Sequence, residues 1–301
     1  MWTSYIKQFE TYLKLERSLS SNSIEAYSRD VEKLAQFTEM TYPNTSALKL
    51  SYPQLQAFIQ YISELGMSAY SQARILSGIK AFYKFLIAEE LISDDPTALL
   101  EGPKLGRKLP DTLSVEEIDK LFAAIDLSTP EGQRNRAILE VLYSCGLRVS
   151  ECVELKINNL YLEEKGVGFV RVIGKGNKER LVPIGQDATK YVNIYLQQIR
   201  PLIPVQKGFE THVFLNRRGK KLTRVMIFTI IKNLVAAIGL KKTISPHTFR
   251  HSFATHLIEG GADLRAVQEM LGHESITTTE IYTHLDRDYL RSVVQQFHPR
   301  S

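Results

Sequence analysis

Residues 245–256 read Ser245-Pro246-His247-Thr248-Phe249-Arg250-His251-Ser252-Phe253-Ala254-Thr255-His256. A serine before a proline opens a helix. The hydroxyl can accept from the first turn, and proline lacks an N–H that would be orphaned there anyway. The helix so begun puts His247 and Arg250 on one face, three residues apart. Its N-terminus adds positive potential for an anion. His247 and His251 stand four apart, a spacing that also serves zinc. The zinc-protease motif, however, needs glutamate where Thr248 stands, and no metal is expected.

Three other stretches complete the set. Cys145-Gly146-Leu147-Arg148-Val149-Ser150-Glu151 places a glycine at the end of a helix closing near Ser144. Arg148 then starts the next helix, with Glu151 three residues on and able to orient it. Alone, this reads as a surface ion pair. Lys175 stands between Gly174 and Gly176 at a turn tip, where glycine lets backbone approach a ligand; alone it is a solvated lysine. Leu271-Gly272-His273 ends another helix, and Tyr282 follows nine residues after His273 in a short helix. One tyrosine among 14 is ordinarily a core or surface residue.

Together these residues form a chemistry. Two arginines, a lysine and two histidines can bind a phosphodiester and stabilise its doubly charged transition state. A tyrosine can attack phosphorus and store the bond energy as a phosphotyrosine. Neither a metal nor a nucleotide cofactor is called for, and there is no P-loop sequence.

The charge distribution agrees. The net charge is +5 over 301 residues, but residues 1–104 carry −2 and residues 105–301 carry +7. Residues 171–250 hold 16 basic and 3 acidic side chains, an excess that suggests a polyanionic partner. Candidate DNA contacts are Lys104, Arg107, Lys108, Lys178, Arg180, Arg217, Arg218, Lys220, Lys221, Arg224, Lys241 and Lys242. No stretch approaches the roughly 20 apolar residues of a membrane span, and no signal-peptide pattern opens the chain. Two cysteines, Cys145 and Cys152, read as small buried hydrophobes in a reducing, cytoplasmic setting.

The first hundred residues read as four helices, opened by serines near 20, 51 and 68. Gly102, Pro103, Gly106 and Pro110 then mark a linker, and Ser114 with Glu117 forms a capping-box pattern that opens a second domain. The expected division is a helical domain at 1–101, a linker at 102–111 and a second domain at 112–301. The second is mainly helical, with a β-hairpin formed by residues 167–173 and 181–184 around the Lys175 turn. After Asp286 a last helix carries Tyr289, Leu290, Val293, Val294 and Phe297 on one stripe that must be buried somewhere. Periodicity alone leaves its own domain or a neighbour open.

The order Arg148, Lys175, His247-x-x-Arg250, His273, Tyr282 resembles the active site of the tyrosine recombinases, or phage integrases. The wording Gly146-Leu147-Arg148-Val149-Ser150-Glu151 and Ile281-Tyr282-Thr283-His284 is closest to the bacterial Xer group. The resemblance runs nearly end to end. It implies a mainly α fold with a small β-sheet, in a two-domain C-shaped DNA clamp of a SAM-like core-binding domain and a catalytic domain. Arg148 and Arg250 would hold the scissile phosphate, and His273 would hydrogen-bond it. Tyr282 would attack, His247 would accept its proton and Lys175 would protonate the departing 5′-hydroxyl, with Glu151 in support. The implied partners are a double-stranded recombination site, a tetramer on two such sites, a second related recombinase and a septal DNA translocase. The implied role is resolution of chromosome dimers. The resemblance also favours docking of the C-terminal stripe on a neighbour. A mobile-element integrase would share this chemistry. A type IB topoisomerase would relax circles without a partner duplex, and a non-catalytic DNA-binding protein would not need all six residues.

Overall fold

Ser20, Ser51 and Ser68 each stand one residue ahead of a helix. Ser20 accepts from the Ser23 N–H and Ser68 from the Ser71 N–H, both at 3.3 Å, while the Ser51 N–H donates to Gln54 Oε1 at 2.9 Å. These caps satisfy first-turn donors that no helix can satisfy internally. They open α2 (Ser21–Thr41), α3 (Tyr52–Glu64) and α4 (Ala69–Ala88), which follow α1 (Trp2–Leu15). The computed structural model describes residues 2–105, 111–163, 167–174, 178–272 and 287–300. The chain divides into two units, Met1–Lys108 and Leu109–Ser301, each with its own hydrophobic core.

In the first unit Phe9 packs against Phe82 and Phe85, with ring centroids 5.3 and 5.5 Å apart. The Tyr83 hydroxyl donates to Ala47 O at 3.0 Å, so its one polar atom is satisfied in the core. Asp30 of α2 is buried and accepts both arms of the Arg74 guanidinium of α4, at 2.6 and 2.8 Å. Gly78 makes room for this pair, because a Cβ there would fall 2.8 Å from the Asp30 carboxylate.

The second unit opens as its sequence indicates. The Ser114 hydroxyl accepts from Glu117 N at 3.2 Å, and Glu117 Oε2 accepts from Ser114 N at 2.8 Å, at the start of α5 (Val115–Ala123). The centre of the core is α6 (Pro130–Ser144), whose residues from Arg136 to Ser144 are all buried. The five-residue α7 (Val149–Val153) follows, then β1 (Leu160–Tyr161), β2 (Gly168–Ile173) and β3 (Glu179–Ile184). The strands form an antiparallel sheet in the order β1-β2-β3, with Val170 opposite Val182 and Phe169 opposite Pro183. β1 was not expected from the sequence, since two residues are too few to show an alternating period. Further on come α8 (Gln186–Ile194), α9 (Arg224–Ala237), α10 (Pro246–Gly260), α11 (Leu264–Leu271) and α12 (Arg287–Phe297). Cys145 and Cys152 are fully buried, and burial pushes both thiols up, that of Cys145 to about 12.

In the single chain the C-terminal stripe lies on its own domain, with Tyr289 left exposed. Leu290, Val293 and Val294 are buried in the core of their own unit, with α12 against α10, α11 and β3. Beyond the helix, His298 packs on the rings of Tyr143 and Phe253, and Arg300 reaches Asp119, Glu140 and Asp187. The polar tail thus finds partners in cis as well. Among the described residues, no helix is long and apolar enough to cross a membrane.

Candidate active site

Gly146 makes the first turn of the site. It follows the C-cap Cys145 of α6 with φ +56°, a left-handed conformation that disfavours any side chain. A Cβ there would lie 2.4 Å from the Phe253 ring. The chain can therefore pass directly from α6 into α7 and present Arg148 at the α7 N-terminus. The Arg148 Nη1 donates to Glu151 Oε1 at 2.9 Å, and its backbone N–H donates to Glu151 Oε2 at 2.8 Å. Glu151 thus pairs with both the side chain and the backbone N–H of Arg148.

Arg250 comes from the first turns of α10, on the helix opened by Ser245 and Pro246. It is buried, and donates to Gly146 O at 2.7 Å and to Leu271 O at 2.6 Å. Burial, with Arg148 and Arg180 nearby, pushes its guanidinium down to about 10, so it keeps its charge at neutral pH. Arg148 donates to Gly272 O at 3.1 Å, and Arg180 donates through Nε to Met270 O at 2.8 Å. Three successive carbonyls at the end of α11 are thus capped by three arginines. These are carbonyls that a helix leaves without internal partners, at the negative end of its dipole. Glu151 sits among the guanidiniums. Burial opposes its charge, but hydrogen bonds from Arg180 and Arg148 outweigh burial and hold its carboxyl below the usual range.

His247 stands exposed in the first turn of α10, on the rim of an open cleft of about 560 Å³ lined also by Ser245, Thr248, Arg250, Gln268 and Leu271. Helix N-terminus, buried arginine and exposed imidazole converge on this cleft, a setting that suits an anion and a proton acceptor beside it. Lys175, His273 and Tyr282 lie outside the described residues, as do Arg107 and Lys108. Their chain neighbours are placed. A Cβ on Gly174 would lie 3.5 Å from Arg180 Nη1 and 3.9 Å from Glu151 Oε1, and Gly272 receives the Arg148 bond.

The proposed DNA contacts fall into two groups. Lys104, Lys178, Arg217, Arg218, Lys220, Arg224 and Lys241 are exposed. Arg217 pairs with Glu131, and the partly buried Lys221 pairs with Glu154. Lys242 donates to Glu117 Oε2 at 2.7 Å and to Thr112 O at 2.9 Å. Arg180 differs from all of these, because its side chain is only 11% exposed and is committed to Glu151 and Met270. Reasoning from charge placed it on the DNA surface. Strand alternation held the contrary signal: Arg180, Val182 and Ile184 share one face, and the latter two are fully buried. The capping of α11 had no such signal, because it joins residues as far apart as Arg148 and Gly272.

Comparison with known proteins gives the context. Residues 111–288 match the phage integrase family and residues 6–90 match its N-terminal SAM-like domain. The chain is 44% identical over 297 residues to the tyrosine recombinase XerD of Staphylococcus aureus, covering 98% of this chain and 99% of the relative. It is 42% identical over 296 residues to XerD of Listeria monocytogenes, with the same coverages. Among solved structures it resembles the XerH site-specific recombinase bound to its difH substrate before cleavage. That match has a TM-score of 0.69 and 26% identity, over 95% of this chain and 83% of the other. A lambda integrase tetramer on a Holliday junction shares the fold, with a TM-score of 0.70 at 19% identity over 93% of this chain and 79% of the other. With both domains matched and the relatives aligned almost end to end, the chain belongs to the tyrosine recombinase, or phage integrase, family of enzymes that break and rejoin DNA strands.

Proposed function

We propose that this chain exchanges strands between two copies of a specific DNA site through a 3′-phosphotyrosyl intermediate on Tyr282. What supports this best is the convergence of Arg148 and Arg250 on the end of α11, one residue before His273 in the chain. In this reading the two arginines take the non-bridging oxygens of the scissile phosphate, and His273 hydrogen-bonds the same group. Tyr282 attacks phosphorus while His247 accepts its proton. A phenol with an ordinary pKa near 10 needs such a base at neutral pH. Lys175 protonates the departing 5′-oxygen. The phosphotyrosine is then attacked by a 5′-hydroxyl of the partner duplex, which restores the backbone and frees the tyrosine.

The assembly in this reading is a tetramer on two sites, working in the cytoplasm beside a second related recombinase and under a septal DNA translocase. Its cellular task is resolution of chromosome dimers. The near end-to-end likeness to XerD proteins favours this over a mobile-element integrase. The test is covalent trapping on nicked DNA in excess chelator and without nucleotide. The wild-type chain is expected to form a denaturation-resistant adduct, and Tyr282→Phe to bind the DNA but form none. An adduct formed by the mutant, or a strict magnesium requirement for cleavage, sinks the mechanism.

A further inference from the structure

Arg180 joins three elements that carry or adjoin the site. It is the second residue of β3, and its guanidinium donates to both oxygens of Glu151 at 2.9 Å each. Its Nε donates to Met270 O at 2.8 Å. Glu151 in turn holds the side chain and the backbone N–H of Arg148. The hairpin strand, α7 and the end of α11 therefore meet on one planar group. The fit is close, since a Cβ on Gly272 would fall 3.1 Å from Arg180 Cδ. A carboxylate held by a single partner can swing about its side-chain torsions. A bidentate fork fixes its plane, and the third N–H then fixes that plane against the helix end.

We propose that Arg180 is a positioning residue for strand cleavage. It sets the Glu151 carboxylate and the end of α11, and through them aims Arg148, without contacting DNA itself. The inference rests on the reading in which Arg148 holds the scissile phosphate. It also separates Arg180 from the exposed basic residues. Those would contribute to affinity and its salt dependence, whereas Arg180 contributes to rate. Lysine cannot substitute, because an ammonium offers no planar fork.

The experiment compares single-turnover cleavage at saturating protein on two nicked DNAs. One has the ordinary scissile phosphate. In the other a methylphosphonate replaces it, and the lost negative charge removes the need for a well-aimed Arg148. Arg180→Lys and Arg180→Ala are expected to cut the ordinary DNA roughly 100-fold more slowly than wild type, the scale of a small misplacement at a reacting centre. On the methylphosphonate they should lie within a few-fold of wild type. Site affinity and the slope of log Kd against log salt should not change. Arg180→Lys, which keeps the stem and the charge, carries the comparison if Arg180→Ala folds poorly. Equal slowing on both DNAs means a general structural defect and overturns the inference. A salt slope reduced by about 0.9 assigns Arg180 to one backbone phosphate and also overturns it. If the wild-type chain cuts neither DNA, the recombinase reading fails and the inference falls with it.

Discussion

Arg148→Ala and Arg250→Ala should separate catalysis from binding. Affinity is spread over many phosphates, whereas transition-state charge is concentrated on one. Each substitution should slow cleavage by about 10²–10³-fold, the usual effect of losing one donor to a developing anion, and weaken site binding far less. Single-turnover rates beside gel-shift affinities decide this, and equal losses in both would make the arginines ordinary backbone contacts. A second residue carries a pH effect. Burial beside Tyr143 pushes the His298 imidazole down to about 3. The unfolded chain, with an ordinary histidine near 6.5, therefore binds more protons than the folded one between those values. Stability from this group is complete above pH 6.5 and declines as pH falls toward 3, by at most about 1.4 kcal/mol per pH unit. His298→Phe should flatten that decline in denaturant melts at pH 7, 6, 5 and 4, and an unchanged slope would refute the assignment.

Between elements, the joint from α6 to α7 is the most sensitive. Gly146→Ala imposes a left-handed conformation on a side chain and drives its Cβ into Phe253, which is fully buried. The two effects should together cost about 2–5 kcal/mol in chemical denaturation and abolish cleavage. Removal of residues 287–301 is the second test. Three buried side chains, Leu290, Val293 and Val294, at about 1.5–3 kcal/mol each set the loss at roughly 4.5–9 kcal/mol before ordering costs. The truncated chain should melt much earlier, and an unchanged melting temperature would show that α12 is not held in cis. Helix starts were legible in the sequence because caps and proline act within four residues, as at Ser114 and Ser245. The pairing of Arg148 with Glu151 was legible for the same reason. The destination of α12 was not, because periodicity says that a face is buried but not against what. The fork of Arg180 on Glu151 links residues 29 apart, and charge counting placed that arginine among the DNA contacts.

At the scale of the molecule, the two units differ in charge as well as in core. The excess of basic over acidic residues lies after residue 104. A fragment of residues 109–301 has its own core and should fold alone and keep most of the salt dependence of DNA binding, although it loses affinity. Plots of log Kd against log salt for the fragment and the whole chain measure this, and a slope cut by half or more would place the electrostatic contacts in the first unit. The sealed cysteines have a use of a different kind. Cys145 and Cys152 are the only thiols in the sequence, and both are fully enclosed with their reactive thiolate forms suppressed. A maleimide dye added to the native protein should therefore label only a cysteine introduced at the surface. Strand exchange could then be followed by fluorescence with both natural cysteines left in place, while their slow labelling over hours would time the opening of the domain that encloses them.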